Sequence, residues 1–201
     1  QSAVVFTVLT TDTDVEQVVL GPSGLLAGFQ SGSVLIDMGT ISPGLTRRLA
    51  GRLAQYGVAM LDAPVSGGEQ GAIDATLAIM VGGDARVLER VRPLLACLGK
   101  TIVHIGDHGA GQVAKACNQM VMVGAIQAIA EALHLSRAAG VDPQRVRQAL
   151  SGGSAASRVL DTLGARMVAR HFTAGIEARL HHKDFRIIND EAQRLGMPLP
   201  L

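Results

Sequence analysis

In the stretch "GAGQVAKACNQMVM", Gly111, Lys115, Asn118 and Met122 stand at steps of four, three and four. On an α-helix those steps put all four on one face. A lysine is costly to bury unless it is paired or used. An ammonium group here could give a proton to an oxygen becoming an alkoxide, or stabilise its charge, while the Asn118 amide orients the molecule that carries it. Gly111, one turn before, leaves a small concavity beside the lysine. The same spacing also suits a lysine whose stem lies along the helix with its head in water, with Asn118 an ordinary polar surface residue. Spacing by itself leaves both open.

A second group is "DAPVSGGEQG", residues 62–71, which follows an apolar run. Ligands of open α/β sheets sit outside the carboxyl ends of strands. Ser66, Gly67 and Gly68 there offer a hydroxyl and unobstructed backbone N–H groups to a small carboxylate or hydroxyl. Plain turn chemistry accounts for the same residues equally well. "DMGT", residues 37–40, closes another run and places Thr40 where a hydroxyl could meet a nucleotide or nicotinamide. Metal chemistry is not expected. His181 and His182 of "HHKDF" diverge by about 100° on a helix and lack a third ligand, so they read as solvated helix residues. "EALH" (131–134) has the Glu-x-x-His spacing of carboxylate-bridged sites but no second copy.

The elements that must position these groups follow from periodicity. Short β-branched runs at 3–10, 33–39, 58–65, 76–83 and 100–106 alternate with helical patterns, the signal for βαβ units and a parallel sheet. Most of these runs are apolar on both faces, as strands covered on both sides should be. Ser42 with Pro43 opens one helix and Asp84 another, with Gly57 and Gly99 beyond their ends. From Gly109 strand signals stop. A long helix, a break at "GVDP", a short helix, the loop "SGGSAAS" and helical patterns near 157–170 and 177–195 follow. The fold class is therefore α/β: a partial Rossmann-type parallel sheet domain over 1–108, then an all-α domain over 109–201, joined by the long helix.

The chain has 201 residues, 48% hydrophobic and 17% charged, so it can bury one substantial core or two modest ones. Its 18 basic and 17 acidic residues are scattered, which predicts no nucleic-acid partner and no charged membrane surface. The apolar runs are broken by glycine and charge, so no membrane span is expected. Two cysteines, Cys97 and Cys117, in unrelated contexts suit a reducing compartment, with the cytoplasm as the default. Val121, Val123, Ile126, Ile129 and Leu133 give the long helix more than one apolar face, which predicts a homo-oligomer, a dimer or tetramer.

"DAPVSGGEQGA", "GAGQVAKACNQ" and "HHKDF", in this order and at these separations, resemble the β-hydroxyacid dehydrogenase family over essentially the whole chain. The resemblance implies an NAD(P)-dependent oxidoreductase that interconverts a small 3-hydroxy acid and its semialdehyde. It implies Lys115 as the proton donor in reduction and Asn118 with Ser66, Gly67 and Gly68 as the substrate-binding set. Leu9, Thr10 and Thr40 would contact the cofactor, NAD or NADP, and Lys183 would close over it with Asp184 as its structural partner. Thr10 stands where the family usually has proline. Residues 147–167 and 69–84 look most like the members that reduce tartronate semialdehyde to glycerate, with 3-hydroxyisobutyrate dehydrogenases as the alternative. A non-catalytic, dehydrogenase-like scaffold would be expected to lack Lys115, and imine-reducing relatives are disfavoured by the same residue. The family's opening strand and Gly-x-Gly-x-x-Gly turn have no counterpart here, and the chain starts without Met, so it is expected to be the middle and later part of a longer protein. The residue that separates NAD from NADP would lie in the absent part.

Overall fold

Aliphatic runs become strands where both of their faces can be covered. In the computed structural model, which describes residues 2–173, 175 and 177–199, strands β1 (Val4–Thr7), β2 (Val34–Asp37) and β3 (Ala59–Asp62) lie side by side in parallel. Their register brings Thr7, Asp37 and Asp62 into one row at the carboxyl ends. Successive residues of β2 serve opposite faces. Leu35 packs with Val15 and Val19 of α1 (Asp12–Leu20) and with Leu45, Leu49 and Leu53 of α2 (Pro43–Ala54). Val34 and Ile36 pack with Leu88, Val91 and Leu95 of α4 (Ala85–Leu95). Burying a leucine so completely stabilises by roughly 1.5–3 kcal/mol per side chain, which is why the sheet is held rigidly between its two helical layers.

The expected helix starts are where the side chains can satisfy free N–H groups. Ser42 Oγ accepts from the Leu45 N–H at 3.1 Å with Pro43 at the first helical position, and Asp84 accepts from the Arg86 N–H at 2.7 Å.

The sheet is mixed rather than parallel throughout. After β3 come the two-residue strand β4 (Val65–Ser66), the short helix α3 (Gly68–Ile73), β5 (Leu77–Gly82) and, beyond α4, β6 (Gly99–Gly106). Strand β5 runs antiparallel to β3 and β4, and β6 runs parallel to β5. The cause is length: six residues of helix span about 9 Å, too little to return the chain to the start of β3 for a parallel crossover. Cover on both faces holds for β2 and β3. Among the described residues, strand β6 pairs with β5 alone and leaves Val103 and Ile105 exposed.

The chain divides into two compact units, one of residues 1–118 with 182–199 and one of 119–181. This differs from a boundary at 108/109, because the start of α5 (Ala110–Ala138) is hydrogen-bonded to β3 and Lys183, in the second turn of α8 (Ala178–Arg194), reaches the loop after β2. The helical unit contains α6 (Pro143–Ser151), a π-helical turn at Leu160–Gly164 and α7 (Ala165–Val168). Its fully formed core is small: Ile129, Leu133 and Leu160, with Leu150, Val159 and Met167 partly buried around them. Helix α5 is long and apolar enough, by length and composition, to cross a membrane, so the expectation that glycine and charge break every apolar run before it could span one does not hold for it. His181 also departs from expectation: it is half-buried, with Nδ1 enclosed and unpartnered.

Candidate active site

Asp62, the last residue of β3, is fully buried. Its Oδ1 accepts from the Gly109 N–H at 2.9 Å and its Oδ2 from the Gln112 N–H at 3.1 Å. A strand-end carboxylate therefore caps the start of α5 from outside the helix, where orphan N–H groups and the helix dipole both favour a negative charge. Burial nevertheless pushes the Asp62 carboxyl above the usual range, against the two N–H groups. Close approach demands glycine at 111, where a Cβ would fall 2.8 Å from the Asp62 carbonyl oxygen. Gly111 is thus a buried contact with β3, not the concavity beside the lysine that spacing suggested.

One turn later, Lys115 donates from Nζ to the Val65 carbonyl at 2.8 Å. Burial lowers its pKa; the Asp184 carboxylate works against this and the Lys183 ammonium adds to it. Val65 and Ser66 form β4, so the ammonium lies beside the Ser66–Gly67–Gly68 segment. Ser66 and Gly67 are half-buried and Gly68 is exposed, with φ of 147° at Gly67 and 65° at Gly68. Asn118 is half-buried further along α5.

The loop after β2 is held from two sides. Gln112, 1% exposed, accepts on Oε1 from the Ile41 N–H at 3.2 Å and donates from Nε2 to the Gly39 carbonyl at 2.9 Å. Thr40 lies between them, and Lys183 Nζ donates to its carbonyl. Lys183 in turn pairs with Asp184, Nζ to Oδ1 at 3.2 Å, and Asp184 is 7% exposed. Leu9, half-buried, packs its carbonyl against Gly39, while Thr10 is exposed. The structure gathers Lys115, Ser66, Thr40 and Lys183 around the carboxyl ends of β1 to β3. Gly68 and Thr10 are exposed.

Three residues of this network carry no chemistry in the sequence reading. Asp62 and Gln112 are two, and Asp37 is the third. Thr7 donates from Oγ1 to Asp37 Oδ1 at 2.7 Å, while Oδ2 is buried without a partner. Burial above all pushes the Asp37 carboxyl up to about 6, opposed by hydrogen bonds from Thr7 and the Gly39 backbone and assisted by the charges of Asp62 and Asp12. The recurrence of aspartate at the end of two successive strand runs, "VLID" and "AMLD", is the signal that could have found the pair. A cavity of about 420 Å³ in the helical unit, lined by Met122, Ile126, Leu163 and Phe172 among others, shares no residue with the Lys115 cluster.

Carboxyl ends of strands β1 to β3, with the half-buried Lys115 of α5 and Lys183 of α8 near them, are where open α/β sheets bind their ligands. Residues 1–106 match the family described as the NAD binding domain of 6-phosphogluconate dehydrogenase, and 109–201 match the NAD-binding domain of NADP-dependent 3-hydroxyisobutyrate dehydrogenase. The chain is 44% identical to Escherichia coli 2-hydroxy-3-oxopropionate reductase over 99% of its own length and 68% of that protein. It is 39% identical to Pseudomonas aeruginosa 3-hydroxyisobutyrate dehydrogenase, covering 98% and 69%. The solved structure of Mycobacterium tuberculosis 3-hydroxyisobutyrate dehydrogenase with L-serine superposes with a TM-score of 0.88 at 34% identity, covering 100% of this chain and 70% of that one. The chain belongs to the NAD(P)-dependent 3-hydroxyacid dehydrogenases.

Its cofactor is NAD or NADP. The loops after β1 and β2 meet at Leu9 and Gly39, and Thr10 and Thr40 leave accessible groups beside them. The orphaned Oδ2 of Asp37 lies beneath the same strand ends.

Proposed function

We propose that the chain reduces tartronate semialdehyde to glycerate, or runs the reverse oxidation. The observation that carries this reading is the half-buried Lys115 ammonium, its pKa lowered by burial, 2.8 Å from the Val65 carbonyl and beside Ser66. A lowered pKa brings the lysine closer to the operating pH, which makes it a better acid–base group. When bound, the reduced nicotinamide would supply hydride to the carbonyl carbon of the aldehyde. Lys115 gives a proton to the carbonyl oxygen as it gains charge, and takes it back in oxidation. Ser66 with the N–H groups of Gly67 and Gly68 binds the substrate carboxylate, and Asn118 orients the hydroxyl-bearing end. Leu9, Thr10 and Thr40 would line the nicotinamide, and Lys183, paired with Asp184, would hold the Thr40 loop against it.

The likeness to the Escherichia coli reductase supports this substrate. The likeness to the Pseudomonas and Mycobacterium dehydrogenases supports 3-hydroxyisobutyrate as the second reading. Discrimination between aldehydes this small rests on a few pocket contacts. Following the loss of NADH or NADPH absorbance with tartronate semialdehyde and with methylmalonate semialdehyde separates them. Faster turnover of the first is expected, and preference for the second reverses the assignment. Binding of NADH without turnover of either would turn the chain into a dehydrogenase-like scaffold.

The working form proposed is a homo-oligomer built on α5, supported by Val121 and Leu135, which are 74% and 70% exposed. A cytoplasmic location is proposed with it, in keeping with two exposed, unbridged thiols, Cys97 and Cys117.

A further inference from the structure

The side chain of Gln112 uses its amide in both directions at once. It accepts from the Ile41 N–H and donates to the Gly39 carbonyl, while its own backbone N–H donates to Asp62 Oδ2. One residue thereby ties the end of β3, the start of α5 and the loop after β2. Lys115 lies three residues further along the same helix, so no flexible bond of the backbone intervenes between the clamp and the lysine's Cα. Thr40 is the residue flanked by the two clamped backbone groups. The loop is gripped again at the Thr40 carbonyl by Lys183.

We infer that Gln112 is a positioning residue, setting the distance between the Thr40 loop, where the nicotinamide would lie, and the helix face that presents Lys115. The inference rests on the dehydrogenase reading. Hydride and proton must arrive at the two atoms of one carbonyl bond, so their donors must keep a fixed separation. Only an uncharged group with one donor and one acceptor satisfies Gly39 and Ile41 together. A carboxylate keeps the Ile41 bond and repels the Gly39 carbonyl. A thioether of similar size fills the space and makes neither bond.

These differences define the test. In Gln112→Glu the protonated carboxyl reproduces both hydrogen bonds, and ionisation breaks the one to Gly39. Its kcat is expected to stand near the wild-type value at low pH and to fall about 100-fold as the pH rises, the scale on which misplacement of about 1 Å acts. KM for the aldehyde should change far less. Gln112→Met should show a similar loss at every pH, with a larger primary isotope effect from deuterated reduced cofactor. A readout that needs no turnover accompanies these: the hydrogen-exchange protection factor of the Ile41 amide. It should be high in wild type, pH-linked in Gln112→Glu and lost in Gln112→Met.

An active wild type together with a Gln112→Glu pH profile identical to it overturns the role of Gln112 and leaves the dehydrogenase reading standing. A wild type that binds NADH yet turns over neither aldehyde overturns that reading, and this role with it. Rapid exchange of Ile41 in wild type overturns the clamp even where neither variant folds.

Discussion

The two units spend their apolar residues differently. In the sheet unit, nearly every buried aliphatic side chain belongs to one of two clusters on opposite faces of β2 and β3, and the buried polar groups Asp62, Gln112 and Thr7 are hydrogen-bonded at the strand ends. In the helical unit the buried cluster is Ile129, Leu133 and Leu160, while along α5 Val121 is exposed and Met122, Val123 and Ile126 are only half-buried. The difference teaches where geometry is over-determined. Catalytic groups need to be held to fractions of an ångström, and the network that does so is built in the unit whose core can bear the cost of burying polar atoms.

The largest expected effect tests the sheet unit as the seat of the chemistry. Lys115→Ala should lower kcat by about 10²–10⁴-fold, the range for losing a general acid, with cofactor affinity by titration calorimetry nearly unchanged. Turnover close to wild type would remove the lysine from the mechanism.

Two stability effects of similar size sharpen the contrast. Leu160→Ala should cost about 2–5 kcal/mol, and with so small a cluster the damage should be confined to the helical unit. Amide exchange at Ile129 would then accelerate while that of Leu35 stays slow; equal acceleration of both would join the units into one cooperative block. In the sheet unit, Asp37 is raised from 3.8 to about 6 in the folded state. Below pH 4 both states are protonated and the carboxyl contributes nothing. Between about pH 4 and 6 the unfolded chain gives up this proton while the folded carboxyl keeps it, so stability falls by about 3 kcal/mol in all and levels off above about 6, where the folded carboxyl ionises too. Asp37→Asn should abolish that part of the slope in urea unfolding between pH 4 and 7. An unchanged slope would mean that Asp37 titrates as an ordinary carboxyl.

Smaller effects come from the surface. Ser42→Ala removes the cap of α2 and a hydrogen bond to Asp12, for a loss of about 1–2 kcal/mol in thermal unfolding. Val121→Glu should change monomer stability by less than about 0.5 kcal/mol. If a second copy covers α5, the same change should shift sedimentation from oligomer to monomer, and unaltered mass would place that contact elsewhere.

Local signals made much of the frame readable. The capped helix starts at Ser42 and Asp84, the strand runs, and the one-face spacing of Lys115 with Asn118 depend on near neighbours in the chain, and the structure keeps them. The role of Gly111 is not legible locally, because its partner, Asp62, is distant in sequence and a glycine does not announce what presses on it. Gln112 gave no sign at all, since an amide in an apolar helix looks the same whether it faces water or a buried loop.

The sequence by itself determined the alternation of strands and helices, the switch to an all-helical part near Gly109 and, through three ordered motifs, the family. Tertiary structure alone decided that β5 runs antiparallel, because that follows from the reach of a six-residue helix. It alone made Asp62 the cap of α5, Asp37 a buried acid and Gln112 a clamp. Their partners are thirty to seventy-three residues away in the chain, and only the fold sets which groups lose water together.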